Sequence, residues 1–183
     1  MFAFLPGIVS PGGATHQAIE DIAVMRSLPN MTVLEVGDAT EAESVLPLAC
    51  ETPGPVYIRM LRGDLPRLFD KNEPMKLDTP SILSHGKDVL VVSSGICTEE
   101  AIRAVTALNA KGVSTGHVHI STMKPFNNKD ISDILNMPKH GIITVENHTT
   151  IGGLGTIVSE KMVEKGINKK HILLGLKDTF SHG

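Results

Sequence analysis

The chain has 183 residues, with 17 Lys+Arg against 20 Asp+Glu for a net charge of −3, 41% hydrophobic residues, 3% aromatic residues and no tryptophan. That composition fits one ordinary domain or two small ones and excludes collagen-like, mucin-like and intrinsically disordered chains. Apart from an apolar patch at residues 1–9, no stretch approaches the ~18 residues that span a bilayer, and no basic residue precedes the patch, so a cytoplasmic protein is expected.

Cys50 and Cys97 lack CxxC spacing and are too few for a disulfide framework; they read as buried, reduced thiols. Basic residues are scattered through the C-terminal half, with Lys169-Lys170 the only adjacent pair there. Stacking aromatics are nearly absent, so nucleic-acid binding has no electrostatic footprint.

In chain order, the front of the molecule offers a helix over 16–28, a strand at Met31 to Val36, a helix at Thr40 to Cys50 and a strand at Val56 to Arg62. Thr40-Glu-Ala-Glu43 reads as a capping box that fixes the second helix start. Two strands and two helices make a thin core for about 60 residues, which suggests the tail of a larger domain. Residues 64–87 carry Pro66, Pro74 and Pro80 with balanced charge and no periodicity, and read as a linker.

Behind it, Asp88 to Ser94 is a β-branched apolar run, and Thr98 to Leu108 places apolar residues at 101, 102, 105 and 108. Strands at Val118 to Ile120, Gly141 to Glu146 and His171 to Leu174 alternate with helices at Asn128 to Leu135 and Thr156 to Lys165. Four strands alternating with three helices argue for a mostly parallel sheet covered on both faces, a three-layer αβα domain over 88–183 joined by right-handed crossovers. The whole chain is therefore of the α/β class.

Three constellations stand out. His117-Val-His119 puts two imidazoles on one face of a strand, but no third ligand lies near in sequence and no metal site is expected. Gly152-Gly-Leu-Gly155 before a helix suits either an anion cradle or close helix packing; without the full GxGxxG pattern, packing is the expectation. Ser93-Ser94, Ser121-Thr122 and Glu146-Asn-His148 fall at the carboxyl ends of strands, where open parallel sheets bind ligands, and would suit a small effector pocket or a subunit contact.

Several runs carry a resemblance: Gly13-Ala-Thr-His-Gln17, Asp21-Ile-Ala23, Arg26, Pro29-Asn-Met31 and Asp38-Ala-Thr-Glu-Ala-Glu43 in the front part. Ser94-Gly95, Lys124-Pro125, Val145 to Gly155 and Gly175-x-x-Asp178-x-Phe180 carry it further on. Together they resemble the transketolase family, residues 1–63 the end of its pyrimidine-binding domain and residues 88–183 its C-terminal domain. The C-terminal subunits of split transketolases are the nearest likeness. The resemblance implies a thiamine diphosphate and Mg2+ enzyme that moves a two-carbon ketol unit between sugar phosphates. It implies that the cofactor lies between protomers, and so an assembly that is at least dimeric.

By the same resemblance His16 is the catalytic and substrate-binding histidine that contacts hydroxyls near the reacting carbonyl, and Arg62 is the arginine that grips the sugar phosphate. An imidazole suits the first role because it both donates and accepts; a planar guanidinium suits the second. Alternation along the strand puts Arg59 and Arg62 on opposite faces, so only one of them faces a given site.

The acidic residue that relatives carry four positions before the histidine is Gly12 here. Neither the cofactor-activating glutamate nor a GDG…N run is present, so the expectation is a chain that neither binds the cofactor tightly nor turns over alone. Its partner would be the N-terminal transketolase subunit carrying the diphosphate-binding domain. The alternatives are a non-catalytic assembly or regulatory module of the same fold, or part of a deoxyxylulose phosphate synthase or of a 2-oxo acid dehydrogenase β subunit.

Overall fold

The computed structural model describes residues 1–10 and 12–180; Pro11 and the last three residues of the expected C-terminal domain lie outside the described residues. Two sheets organise the chain. The first contains β1 (Phe2–Ala3), β2 (Thr32–Glu35), β3 (Val56–Arg59) and β7 (Thr122–Lys124) in the order β1-β3-β2-β7. β1, β3 and β2 run parallel, while β7 pairs antiparallel with β2. The second has five strands, β4 (Ser81–Ser84), β6 (Thr115–His119), β5 (Val89–Ser93), β8 (Gly141–Thr149) and β9 (His171–Leu176), in that spatial order. Only β4 is antiparallel to its neighbour.

The front helix expected over 16–28 is two elements. A single 3-10 turn at Gly13–His16 ends where Gln17 becomes extended, and α1 occupies only Asp21–Ser27. The break arises because Ala18 is used elsewhere: its N–H donates to the Leu5 carbonyl and its own carbonyl accepts from Gly7 N–H. A helix could not also close through it.

The next helix, α2 (Ala39–Glu51), is capped two residues before the expected capping box. Asp38 is the cap: its side chain accepts from the Glu41 N–H at 2.8 Å, while its other oxygen accepts from Leu68 and Phe69 N–H groups, each at 2.9 Å. Thr40 instead donates to the Phe69 carbonyl and Glu43 pairs with Arg67.

The stretch expected as a bare linker holds more structure than its prolines suggest. Residues 64–78 strap across the start of α2, and β4 then joins the edge of the second sheet. An edge position explains its sequence, since a polar strand that follows Pro80 needs neighbours on one side only.

In the C-terminal half, α3 (Cys97–Ala110) covers one face of the second sheet through Val91, Ala101 and Val105. α4 (Ile131–Asn136) and α5 (Leu154–Glu164) lie on the opposite side of the sheet, giving the three-layer arrangement. The core on that face is shared. Ile22, Val33 and Tyr57 from the front pack with Leu90, Val118, Met123, Leu135 and Leu154 from behind. The front elements thus borrow both a strand and a core from the second half. Among the described residues no helix is long and apolar enough to cross a membrane.

Because Asp38 is fully buried and satisfies three backbone donors at once, Asp38→Ala is expected to cost about 2–4 kcal/mol, the sum of a lost cap and newly orphaned amides. Urea unfolding of the two proteins side by side measures it.

Candidate functional site

Parallel ladders bring β1 and β3 level, so the Arg62 N–H donates to the Phe4 carbonyl just beyond the last paired strand residues. The 3-10 turn Gly13–His16 lies across from it. Between them opens a cleft of about 750 Å³ lined by Ala3, Phe4, Leu5, His16, Glu20 and Arg62 among others. His16 and Arg62 are both exposed and both line this cleft. The hydroxyl of Thr15 sits 2.9 Å from His16 Nδ1; among the described residues none engages the other ring nitrogen or the Arg62 guanidinium. The cleft thus offers one imidazole, one cation and the Glu20 carboxylate beside an apolar wall, groups that suit a polar ligand with hydroxyls.

Arg59, three residues before Arg62, has a different job. It is 1% exposed and is among the largest fully buried side chains. Its Nε donates to Asp21 at 2.9 Å, one terminal nitrogen donates to Glu35, and the other donates to the Ala18 and Asn147 carbonyls, both at 2.9 Å. Burial opposes its charge, but Glu35 and Asp21 outweigh that and hold the guanidinium more firmly protonated than usual. Tyr57 donates to Asp21 at 2.6 Å, and burial together with that carboxylate pushes its phenol well above the ordinary range.

The strand-end polar groups Ser93, Ser94, Ser121, Thr122, Glu146, Asn147 and His148 are all buried, and Ser121 also lines a separate cleft of about 430 Å³ with Glu41 and Phe69. Glu146 accepts from the Leu154 and Gly155 N–H groups at 2.6 and 2.9 Å. The chain's own carboxylate therefore occupies the anion position at the start of α5. A Cβ at Gly155 would come 2.7 Å from the Leu173 side chain, which is the close helix packing expected of this glycine run. Burial raises Glu146 to about 7 despite those two donors.

His117 and His119 do share a face, but both are consumed by a hydrogen-bonded series. His117 Nε2 meets Ser93 at 2.8 Å, Ser93 meets Thr98 at 3.0 Å, Thr98 meets His119 Nδ1 at 2.6 Å, and His119 Nε2 reaches the Glu41 carboxylate at 3.2 Å. Every partner is satisfied when His119 donates to Glu41 and His117 donates to Ser93. Cys50 is exposed, not buried. Cys97 is partly covered, and burial pushes its thiol up to about 12, which leaves it unreactive.

His16 and Arg62 line one cleft, whereas Arg59, which alternation sets on the opposite face from Arg62, joins Asp21 and the Asn147 carbonyl in a buried cluster. The available signal was Asp21 within the Asp21-Ile-Ala23 run together with an arginine at the end of a strand, which alternation turns inward.

Two family models match the chain: the transketolase pyrimidine-binding domain over residues 1–67 and the transketolase C-terminal domain over residues 79–183. The chain belongs to the transketolase family. Among similar proteins, a transketolase C-terminal section from Methanocaldococcus jannaschii is 36% identical over 174 residues, covering 94% of this chain and 54% of that protein. The 6-deoxy-6-sulfo-D-fructose transketolase subunit of a Clostridium strain is 35% identical over 160 residues, covering 87% of this chain and 49% of that protein. A solved split-gene transketolase, an inactive β4 tetramer, matches with a TM-score of 0.89 at 34% identity, covering 99% of this chain and 58% of that one. The chain spans about half the length of the curated relatives it matches.

The family implies thiamine diphosphate with magnesium, and these residues do not fit that group's diphosphate end. Among the described residues no three His, Cys, Asp or Glu side chains converge as metal ligands; Glu41 and Glu146 are buried and already engaged, and Glu35 is buried with one oxygen on Arg59 and the other without a partner.

Burial, followed by the His119 charge, lowers His117 to about 4. Its ordinary value near 6.5 applies in the unfolded chain, so the unfolded state binds the extra proton between those limits. Stability from this group is complete above about 6.5 and is lost as pH falls towards 4. His117→Gln, which keeps an acceptor and donor for Ser93, is expected to shrink the drop in urea midpoint between pH 7.5 and pH 5.

Proposed function

We propose that this chain is the C-terminal half of a transketolase, which transfers a two-carbon ketol unit from a ketose phosphate to an aldose phosphate. It works in a larger assembly with a subunit that carries the diphosphate-binding domain. The observation that carries this reading is the cleft itself: His16 and Arg62, separated by 46 positions in the chain, line one open cavity.

Thiamine diphosphate and magnesium belong, in this reading, to the partner's side of the assembled site. Within this chain the Arg62 guanidinium holds the sugar phosphate as a planar fork of donors. That anchoring presents the sugar's hydroxyls to His16, whose imidazole accepts or donates one hydrogen bond. Ala3, Phe4 and Leu5 give the cleft an apolar wall. The similarity to the split-gene transketolase, whose β chains alone form an inactive tetramer, supports a chain that needs a partner for turnover.

The test is reconstitution with the diphosphate-binding subunit, thiamine diphosphate and magnesium, with xylulose 5-phosphate as donor and ribose 5-phosphate as acceptor. Arg62→Ala is expected to raise KM for the phosphorylated acceptor roughly 10–100-fold, the value of a charge-assisted pair, while leaving turnover of an unphosphorylated sugar nearly unchanged. His16→Ala is expected to lower kcat by roughly 100-fold or more. Turnover by this chain alone, or equal loss for phosphorylated and free sugars in Arg62→Ala, would sink the reading.

A further inference from the structure

Residues 3–5 and 14–18 frame much of the cleft. Leu5 and the segment around Ala18 are two of its walls, and they are tied to each other by Gly7 N–H to Ala18 O at 2.6 Å and Ala18 N–H to Leu5 O at 3.0 Å. Short segments joined only by two hydrogen bonds are soft on their own. What stiffens them comes from the other half of the molecule.

Asn147, on β8, reaches across with both ends of its amide. Its Oδ1 accepts from the Ile8 N–H and its Nδ2 donates to the Pro6 carbonyl, both at 3.1 Å. Its own carbonyl accepts from Arg59, whose same nitrogen also binds the Ala18 carbonyl. Two residues along, the Thr149 N–H donates to Ile19 O at 2.8 Å. The contact is close enough to dictate a residue type: a Cβ on Gly7, where φ is +57°, would sit 2.2 Å from the Asn147 side chain.

We propose that Asn147 is a positioning residue for the substrate cleft, the means by which the C-terminal domain fixes the backbone that presents His16 and the wall opposite it. Asn147 lines no part of the cleft and touches no substrate atom. It acts by holding residues 5–8 and, through Arg59, residues 18–19 in one register. A loss of that register displaces the imidazole relative to a phosphate anchored at Arg62, and small misplacements of this kind are expensive in rate. The inference rests on the cleft being the sugar-phosphate site.

Asn147→Ala removes the two side-chain hydrogen bonds and leaves the backbone carbonyl for Arg59. In the full chain, amide hydrogen exchange of residues 15–19 is expected to rise at least tenfold relative to residues 89–93, a readout that needs no ligand. Binding of ribose 5-phosphate, followed through the His16 ring resonances, is expected to weaken at least fivefold. In the reconstituted enzyme kcat/KM is expected to fall about tenfold, with kcat carrying most of the loss.

Val158→Ala, a buried change in α5 remote from the cleft, lowers stability and is expected to leave all three readouts unchanged. Should Asn147→Ala fail to fold, Gly7→Ala strikes the same contact from the opposite side and is expected to give the same loosening. Unchanged exchange and affinity in these variants overturn the positioning role while leaving the cleft reading intact. A wild-type chain whose His16 resonances ignore ribose 5-phosphate overturns both.

Discussion

One guanidinium fixes the arrangement of this molecule. Arg59 leaves the end of a central strand, enters a space 1% open to solvent and binds four separate segments: the start of α1, the end of β2, the loop at Ala18 and β8. A charge taken so far from water is tolerated only where its donors are matched. Here two carboxylates and two carbonyls supply the match, and each is a separate part of the chain. Removing the charge would leave Asp21 and Glu35 facing each other's repulsion in the same dry space, typically a loss of about 3–5 kcal/mol. The geometry of the cleft follows from this knot, because the backbone that frames it is held by the knot's outer partners.

The motif residues that mark the family serve largely to stitch the two halves together. Arg26 donates to the Gly152 carbonyl at 2.8 Å and pairs with Glu160, while Lys124 donates to the Arg26 and Leu28 carbonyls at 2.9 and 2.6 Å. Asp38 ties α2 to the strap at Leu68 and Phe69. Asn147 ties β8 to the first loop. Among the described residues, Arg62 and the Ala14–Gln17 part of the Gly13-Ala-Thr-His-Gln17 run face the open cleft. A family signature of this kind records mainly how an interface closes.

Much of the C-terminal half was legible because its elements obey simple periods. β5, α3, β8, α5 and β9 lie within a few residues of their expected positions, since apolar runs and helical spacing there answer to one local environment. The parts that escaped are those decided by distant partners. β7 has three residues and no pattern of its own; it exists because the edge of β2 needs pairing. β4 hides among prolines because an edge strand is allowed to. The helix expected through Gln17 and Ala18 is cut by hydrogen bonds to Leu5 and Gly7, which no local count of apolar residues could reveal. Arg62, which lines the cleft, stands out in the sequence only through the family context. Arg59 was visible only as the residue of opposite parity, with nothing nearby in sequence to say that Asp21 and Glu35 would meet it.

The antiparallel pairing of β2 with β7 means that the front sheet is completed by residues some ninety positions further along the chain. A scissor cut in the strap would therefore yield two pieces with raw margins, one missing its flanking ribbon and the other carrying a ribbon with nothing to lie against. Such pieces would seek each other, or copies of themselves, edge to edge. Grafting either piece onto a foreign scaffold would carry the same debt, so evolution and engineering alike must move this stretch of polypeptide as one indivisible block.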